Sequence, residues 1–328
     1  MAALSNTVLT TQAVGNREEL DDFVSMITPT DTPIYTMAGK EKASSKHPEW
    51  EYEDLDAPGD NAQPEGNDYQ FDAVAPPTRV GNYTQIFTKT LIFSGTQQAV
   101  DNAGRAEKRA HEKMKKGKAL RKDIEYSIVS NTASTNTDPR RSGGLPTWMT
   151  TNVSRGGGGG ASGGFSNGVT TVETTGNLRA WSKALTDTVL QSVYQQGGDV
   201  TNVVVSPWNK GVFATFMSDS NVAPFRYAAG KGTNTIIGTA DIYEGPLGAV
   251  KVVPNRVMGV AAAVARRAFL IDPSLVKWMS LRPIQEDKDV AKTGDAEKGV
   301  ILAEGALKIV NEKGLGVIAD VYGLTAST

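Results

Sequence analysis

Between Val80 and Ile128 the apolar pattern changes period once, and that change constrains the fold more than any other feature of the chain. From Val80 to Phe93 the side chains alternate (Tyr83, Gln85, Phe87, Lys89, Leu91, Phe93), the period of a strand with one buried face. Gly95–Thr96 ends the run. Beyond it Val100, Ala103, Ala106, Ala110, Met114, Gly117, Leu120, Ile124 and Ile128 recur at steps of three and four. That stripe predicts one amphipathic helix of about eight turns, long for a globular domain. Gly104 and Gly117 each cost such a helix about 1 kcal/mol relative to alanine, so tertiary contacts must hold it. Arg121 falls on the stripe and needs an acidic partner if it is buried.

A second alternating segment, Trp50, Glu51, Tyr52, Glu53, precedes a loop tip rich in Pro, Gly, Asp and Asn from Asp56 to Asp68. Residues 34–94 therefore predict a long two-stranded arm, a ribbon that is marginal unless a neighbour covers it. The first 30 residues are polar apart from Phe23, Val24, Met26 and Ile27, and are expected to order against something else. Charge is divided between arm and helix. Glu41 to Asp72 holds ten acids against Lys42 and Lys46, a net −8; Asp101 to Glu125 holds nine bases against five acids, a net +4. A chain of net charge −2 thus carries two opposed fields, a basis for expecting charged partners or self-association. At 100° per residue, Arg105, Lys108, Arg109, Lys115 and Lys116 lie away from the apolar stripe.

Downstream, the run Gly156 to Gly160 predicts a flexible loop. A second amphipathic helix is expected from Leu178 to Gln195, a buried strand at Val203–Val205 and a shorter helix over Gly211–Met217. Strands follow within Ile236–Val253, at Phe269–Ile271, Leu307–Val310 and Leu315–Val321, the last two joined by a hairpin turn at Asn311–Gly314. The class is α+β.

Chemistry is sparse. The two histidines, His47 and His111, lie near no convincing serine–acid arrangement, and no Gly-x-Ser-x-Gly, His-Glu-x-x-His or Walker loop occurs. Gly158, Gly160 and Gly163 match a dinucleotide fingerprint only because the tract is polyglycine. Asp54, Asp56, Gly59, Asp60 and Glu65 occupy calcium-loop positions, but Pro58 breaks the register. We therefore expect no catalytic residue, cofactor or metal. Cysteine is absent, which removes disulfides and thiolate sites and fits a cytoplasm. No apolar run approaches membrane length, and Met1–Gly15 lacks the pattern of a signal peptide. A DNA-associated protein using the basic helix 101–125 stays open as an alternative, although aromatics are missing from that face and the sequence pI is about 5.9.

Several segments, taken in order, resemble one family. They are Arg79-Val-Gly-Asn-Tyr-Thr-Gln-Ile86, Phe93-Ser-Gly-Thr96, the helix with Leu120-Arg-Lys-Asp-Ile-Glu125, and Arg141-Ser-Gly-Gly-Leu145 with Trp148. Phe269-Leu-Ile-Asp-Pro273, Leu281-Arg-Pro283, Lys292-Thr-Gly-Asp295 and Glu304-Gly-Ala-Leu307 follow. Together they resemble the major head proteins of tailed bacteriophages, of the Hong Kong 97-type (HK97-like) capsid fold. The resemblance implies an N-arm (1–33), an extended E-loop (34–94), a P domain with its spine helix (95–140) and an A domain (141–261) holding the glycine-rich loop. The P domain returns over 262–312, and a C-terminal strand (313–328) could rejoin the A domain.

The resemblance also implies a function without catalysis: self-assembly as pentamers and hexamers into an icosahedral head, built in the host cytoplasm and enclosing double-stranded DNA without sequence specificity. A portal protein is an implied partner, with a scaffold or decoration protein as further candidates. Trp50, Glu51, Tyr52, Glu53, Asp54 and Asp56 of the arm, and Lys108, Arg109, Lys115 and Lys116 of the helix, are the expected inter-subunit contacts.

Overall fold

The computed structural model describes residues 31–55, 58–68, 71, 73–74, 76–99, 108–216, 241–245, 247–287, 290–291 and 294–322. Helix α1 (Pro33–Met37) leads into strand β1 (Gly39–Lys42). A short antiparallel ribbon of β2 (Glu49–Tyr52) and β3 (Thr78–Gly81) follows, then β4 (Gln85–Ser94). The short helix α2 (Gly95–Ala99) and the long α3 (Lys108–Val129) come next. Leu120, Ile124, Ile128 and Val129 of α3 are fully buried, whereas Met114 is half exposed. The stripe thus meets the core only over the C-terminal half of the helix. Arg121, expected to need a partner, turns into solvent. Val100, Ala103 and Ala106 lie outside the described residues.

A 3₁₀ turn at Leu145–Thr147 carries the chain to β5 (Val153–Ser154) and the hairpin of β6 (Gly164–Ser166) and β7 (Val169–Thr171). Helix α4 (Lys183–Gln195) begins after Ser182, whose hydroxyl accepts the Leu185 N–H; Trp181 packs just before it. Strand β8 (Asn202–Val205) ends at Ser206, which caps α5 (Pro207–Thr215) with Pro207 in its first turn. Next come β9 (Ile242–Gly245), β10 (Gly248–Pro254), the short α6 (Ala262–Ala265) and β11 (Ala268–Ile271). The long β12 (Val276–Asp287) and β13 (Ala296–Ile309) form a hairpin, and β14 (Gly316–Ile318) closes the described chain.

Two principal sheets result. One has four strands in the order β1-β12-β13-β4, the other six in the order β5-β14-β11-β8-β10-β9. The six-stranded sheet is apolar on both faces: Val204, Phe269 and Val317 face the core shared with α3, while Val203, Val205, Leu270 and Ile318 meet α4 and α5. Burial on both sides explains why β8, β11 and β14 read as unbroken apolar runs rather than alternations.

This topology corrects several expectations. The two-stranded arm is shorter than 34–94, because β1 and β4 belong to the four-stranded sheet and only β2 and β3 pair with each other. The strand expected from Val80 to Phe93 is two strands, broken at Asn82–Thr84. Asn311–Gly314 is no hairpin turn: a 3₁₀ turn at Glu312–Gly314 passes the chain to the other sheet, where β14 pairs with β11 and β5. Strand β11 sits at the centre of the six-stranded sheet, and the chain next enters the four-stranded sheet at β12. Nor is the glycine tract loose. Asn177 N donates to Gly157 O (2.7 Å) and Gly156 N to Asp320 Oδ2 (3.0 Å). A Cβ on Gly156 would lie 1.9 Å from Asn177 O, so glycine permits this approach.

Gly117 offers a contrast, since nothing lies within 4 Å of the position its Cβ would take. Gly117→Ala is therefore expected to raise stability by about 0.5–1 kcal/mol through helix propensity, read as an increase in the urea midpoint at unchanged m-value.

Candidate functional site

The exposed arm stands on a buried polar root. Between β3 and β4, Asn82 is fully buried, and its Nδ2 donates to Leu307 O (2.7 Å) and Ser142 Oγ (3.1 Å). Its Oδ1 accepts the Gly143 N–H (2.9 Å), and Ser142 Oγ in turn accepts Leu307 N–H (3.2 Å). Gly144 lies so close to the end of α3 that a Cβ would sit 2.0 Å from Ser130 O. One asparagine thus ties the arm, the segment after α3 and β13 together.

One turn along β13, Glu304 is buried and held by three segments. It accepts from Thr84 Oγ1 (2.9 Å) and Arg140 Nη2 (2.9 Å) on one oxygen, and from Arg282 Nε (2.8 Å) on the other. A buried carboxylate is tolerable only when paired and hydrogen-bonded, and Glu304 is both.

A second buried carboxylate, Glu125 of α3, sits among different partners. The N–H groups of Ile34 and Tyr35 donate to Oε1 (3.0 Å) and Oε2 (2.7 Å), and Asn255 Nδ2 donates to Oε1 (2.6 Å). Thr32 makes no side-chain cap for α1, so Glu125 does that work from a distant helix. Burial raises its pKa above the ordinary carboxylate value, against the lowering pull of the Tyr35, Ile34 and Asn255 hydrogen bonds and of Lys40.

The expected contact residues divide between inside and outside. Trp50 turns inward, 9% exposed, packing on Trp148 (5.5 Å between ring centres) and donating Nε1–H to Ile309 O (2.8 Å). Its indole is engaged within its own subunit. Tyr52 is half-buried; burial raises its phenol pKa, as do Glu312 and Asp54 nearby. Glu51, Glu53 and Asp54 are exposed, Asp54 accepting from Lys313 Nζ (2.6 Å). Asp56 lies outside the described residues.

On the helix, Arg109 pairs with Glu297 and reaches Glu286 (3.8 Å), beside Lys113 on Glu286 (2.8 Å). Lys115 pairs with Glu112 (3.4 Å), and Lys116 lines a groove beside β4. Lys108 begins α3, and its side chain is outside the described set. Among the described residues no arm acid pairs with a helix base within the subunit; β12, β13 and α3 itself supply the acids that answer Arg109, Lys113 and Lys115. Beyond β2 and β3 the tip presents Leu55, Phe71 and Val74 at 98%, 94% and 96% exposure. Residues 53–77 contain seven acids and no base. Among the described residues no cluster of three metal-ligating side chains occurs, and no helix is long and apolar enough to cross a membrane.

Sequence reasoning did not single out Asn82, Glu125, Asn255 or Glu304. A signal existed for two of them: Glu304 interrupts the apolar run Val300–Leu307, and Glu125 sits beside Ile124 on the buried side of a helix.

Compared with known proteins, residues 5–322 match the sequence model of the SU10 major capsid protein family. The major capsid protein of Escherichia phage Phieco32 is 26% identical over 354 residues, covering 95% of this chain and 96% of that protein. The capsid asymmetric unit of cyanophage A-1(L) superposes with a TM-score of 0.60 at 12% identity, over 97% of this chain and 99% of that one. The holo-SrpI encapsulin complex of Synechococcus elongatus PCC 7942 gives 0.58 at 10% identity, over 99% of both chains. The shared fold is HK97-like.

Two outcomes test the root. Asn82→Ala strands several buried donors and acceptors and is expected to cost about 2–4 kcal/mol in urea unfolding. For Glu125 the raised folded-state pKa fixes the sign. Its contribution is fully present below the ordinary carboxylate pKa and is lost as pH rises through the raised value. The stability of the natural protein relative to Glu125→Gln should therefore fall across that window, as followed by thermal unfolding at stepped pH.

Proposed function

The chain belongs to the SU10 major capsid protein family, and from that premise we propose that its arm joins copies into pentamers and hexamers of an icosahedral phage head around double-stranded DNA. The observation that carries this reading is the arm itself. A ribbon of two four-residue strands cannot support a 25-residue tip, and Leu55, Phe71 and Val74 stand almost wholly in water. Apolar groups held out on an acidic tip are suited to a surface that another copy provides. Heterologous contacts of this kind generate a closed shell when the rotation between copies closes.

In this reading residues 1–33 form an N-arm and the β2–β3 ribbon with its tip the E-loop. Helix α3 and the four-stranded sheet are the P domain, with α3 as spine; the six-stranded sheet with α4 and α5 is the A domain. The protein's work is assembly rather than catalysis. A portal protein, and a scaffold or decoration protein, are its further partners, the host cytoplasm the place of assembly. Glu51, Glu53 and Asp54 act in steering and register, since exposed ion pairs contribute only about 0–1 kcal/mol each, while apolar burial supplies affinity. A DNA-associated role for the basic helix gains no support from Arg109, Lys113 and Lys115, which are engaged within the subunit.

Negative-stain electron microscopy of the purified protein, alone and co-produced with its phage's assembly proteins, tests the reading: shells, tubes or capsomer rings are expected. Reversing Glu51, Glu53 and Asp54 to lysine should reduce particle yield at least tenfold while the circular dichroism and urea midpoint of the subunit hold. Normal shells from that variant would remove these acids from the assembly mechanism.

A further inference from the structure

A cleft of about 330 Å³ opens at the base of the arm, between the β2–β3 ribbon and the β6–β7 hairpin. Tyr52, Trp148 and Phe165 supply its aromatic walls, and Asn311 and Glu312 line it as well. Its volume falls at the lower end of ligand pockets, about 300–1,000 Å³. The walls are preformed. Gly163 and Gly164 let β6 press against the segment after the 3₁₀ turn: a Cβ on Gly163 would lie 2.9 Å from Thr147 Cα, and one on Gly164 2.8 Å from Thr150 Cγ2. Glu312 fixes the same segment, accepting Thr150 N–H (3.0 Å), Thr151 N–H (3.2 Å) and both threonine hydroxyls.

The side-chain groups left unanswered in these walls are donors. Trp148 is 3% exposed, packed on Trp50 and stacked on Phe165 (5.7 Å between ring centres, 8° between planes). Yet its Nε1–H meets no acceptor among the described residues, whereas Trp50 beside it donates to Ile309 O. Asn311 Oδ1 accepts Lys313 N–H (3.0 Å), and its Nδ2 donates to no described residue. The one carboxylate of the cleft, Glu312, already holds four donors. A buried donor without an acceptor needs an explanation.

We infer that this cleft binds a proline-rich extended segment of another protein, with a basic residue beside the prolines. A prolyl segment presents carbonyl acceptors and lacks the N–H groups that would need acceptors in return. That is the complement of walls whose free groups donate and whose carboxylate is filled. Aromatic-lined grooves recognise the polyproline helix, which enters already ordered and so loses little entropy on binding. A sugar fits less well, because each of its hydroxyls brings a donor that the filled Glu312 cannot answer. Charge agrees: near Tyr52, Asp54 and Glu312 stand against one base, Lys313. The inference goes beyond shell formation and concerns a partner of a different kind.

An arginine-flanked polyproline peptide, added to the purified protein, should shift the indole emission and saturate below about 1 mM. Amide hydrogen exchange over residues 163–171 and 309–312 should slow with it. Asn311→Asp keeps the acceptor for Lys313 N–H and removes the free donor, so binding should weaken at least tenfold at an unchanged urea midpoint. Trp148→Phe keeps the stacked ring, removes the N–H and should act in the same direction. A glycine–serine peptide with the same arginines should leave emission and exchange unchanged. Absence of saturation with the polyproline peptide, or binding that neither variant weakens, would overturn the inference. Preference for a glucose oligosaccharide over the peptide would overturn it in favour of a sugar site. Loss of particles in Asn311→Asp without any peptide binding would overturn it in favour of a second copy.

Discussion

A carboxylate inside a β-sheet must be answered by donors, and the answer given to Glu304 organises the surrounding structure. Thr84 comes from the strand leaving the arm, Arg140 from the segment after α3, and Arg282 from the neighbouring strand β12. Removing both arginines would leave charge buried without compensation, which costs several kcal/mol. Asn82 does the same with neutral groups a few ångströms away, binding Leu307, Ser142 and Gly143. The arm is therefore fixed at its root by polar contacts with strict geometry, while among the described residues its tip is tied to the rest of the subunit by the Asp54–Lys313 pair at its base. A rigid base under a free tip suits an element that must present the same surface to every neighbour in a closed assembly.

Glu125 plays the corresponding part on the other side of α3. It links the N-terminal turn to Asn255, which receives the chain as it leaves β10; Asn255 N–H donates to Val205 O (2.7 Å). Glu125 lies where the four-stranded and six-stranded units meet. The apolar core runs through that boundary without a break, from Trp278 and Leu307 to Phe269 and Val317. The two units are joined by packing, and the polar groups decide in which register they are joined. Burial of apolar area is non-directional, so registry of this kind needs hydrogen bonds that work in one arrangement only.

How much of this was legible in the sequence depends on the range of the interaction. The half-buried strand β4 and the doubly buried strands β8 and β11 follow from side chains within a few residues of one another, whereas α4 and α5 begin at Lys183 and Pro207 rather than at the expected Leu178 and Gly211. The arm failed at its ends because a strand pattern does not report the strand's partner: β4 alternates as β2 does, yet β4 pairs with β13 and the polar β1 with β12, more than 190 residues away. The turn at Asn311–Gly314 misled for a related reason. Its composition suits a hairpin, but the two strands it joins are apolar on both faces and enter different sheets. Charge patterning was accurate as a count and incomplete as a map. The basic face of α3 is largely met by Glu286, Glu297 and Glu112, and those pairings depend on where β12 and β13 end. The root was quoted in pieces, as Arg79–Ile86, Arg141–Leu145 and Glu304–Leu307, without any sign that the pieces touch.

That convergence bears on why such distant sequences keep one fold. Of the segments that resemble the family, Arg79–Ile86, Arg141–Leu145, Leu281–Pro283 and Glu304–Leu307 meet at the root, and the tip between β2 and β3 is not among the segments that resemble it. Residues at the root answer to geometry within the subunit: Gly144 must leave room for Ser130 O, Asn82 must offer a donor and an acceptor at once, and Glu304 must face two arginines. Residues of the tip answer to a second copy, which can change along with them. An apolar side chain such as Phe71 or Val74 requires only an apolar surface opposite it, whereas a buried asparagine requires particular atoms at particular distances. The constraint is tight where the contact is polar and internal, and looser where it is apolar and shared between copies.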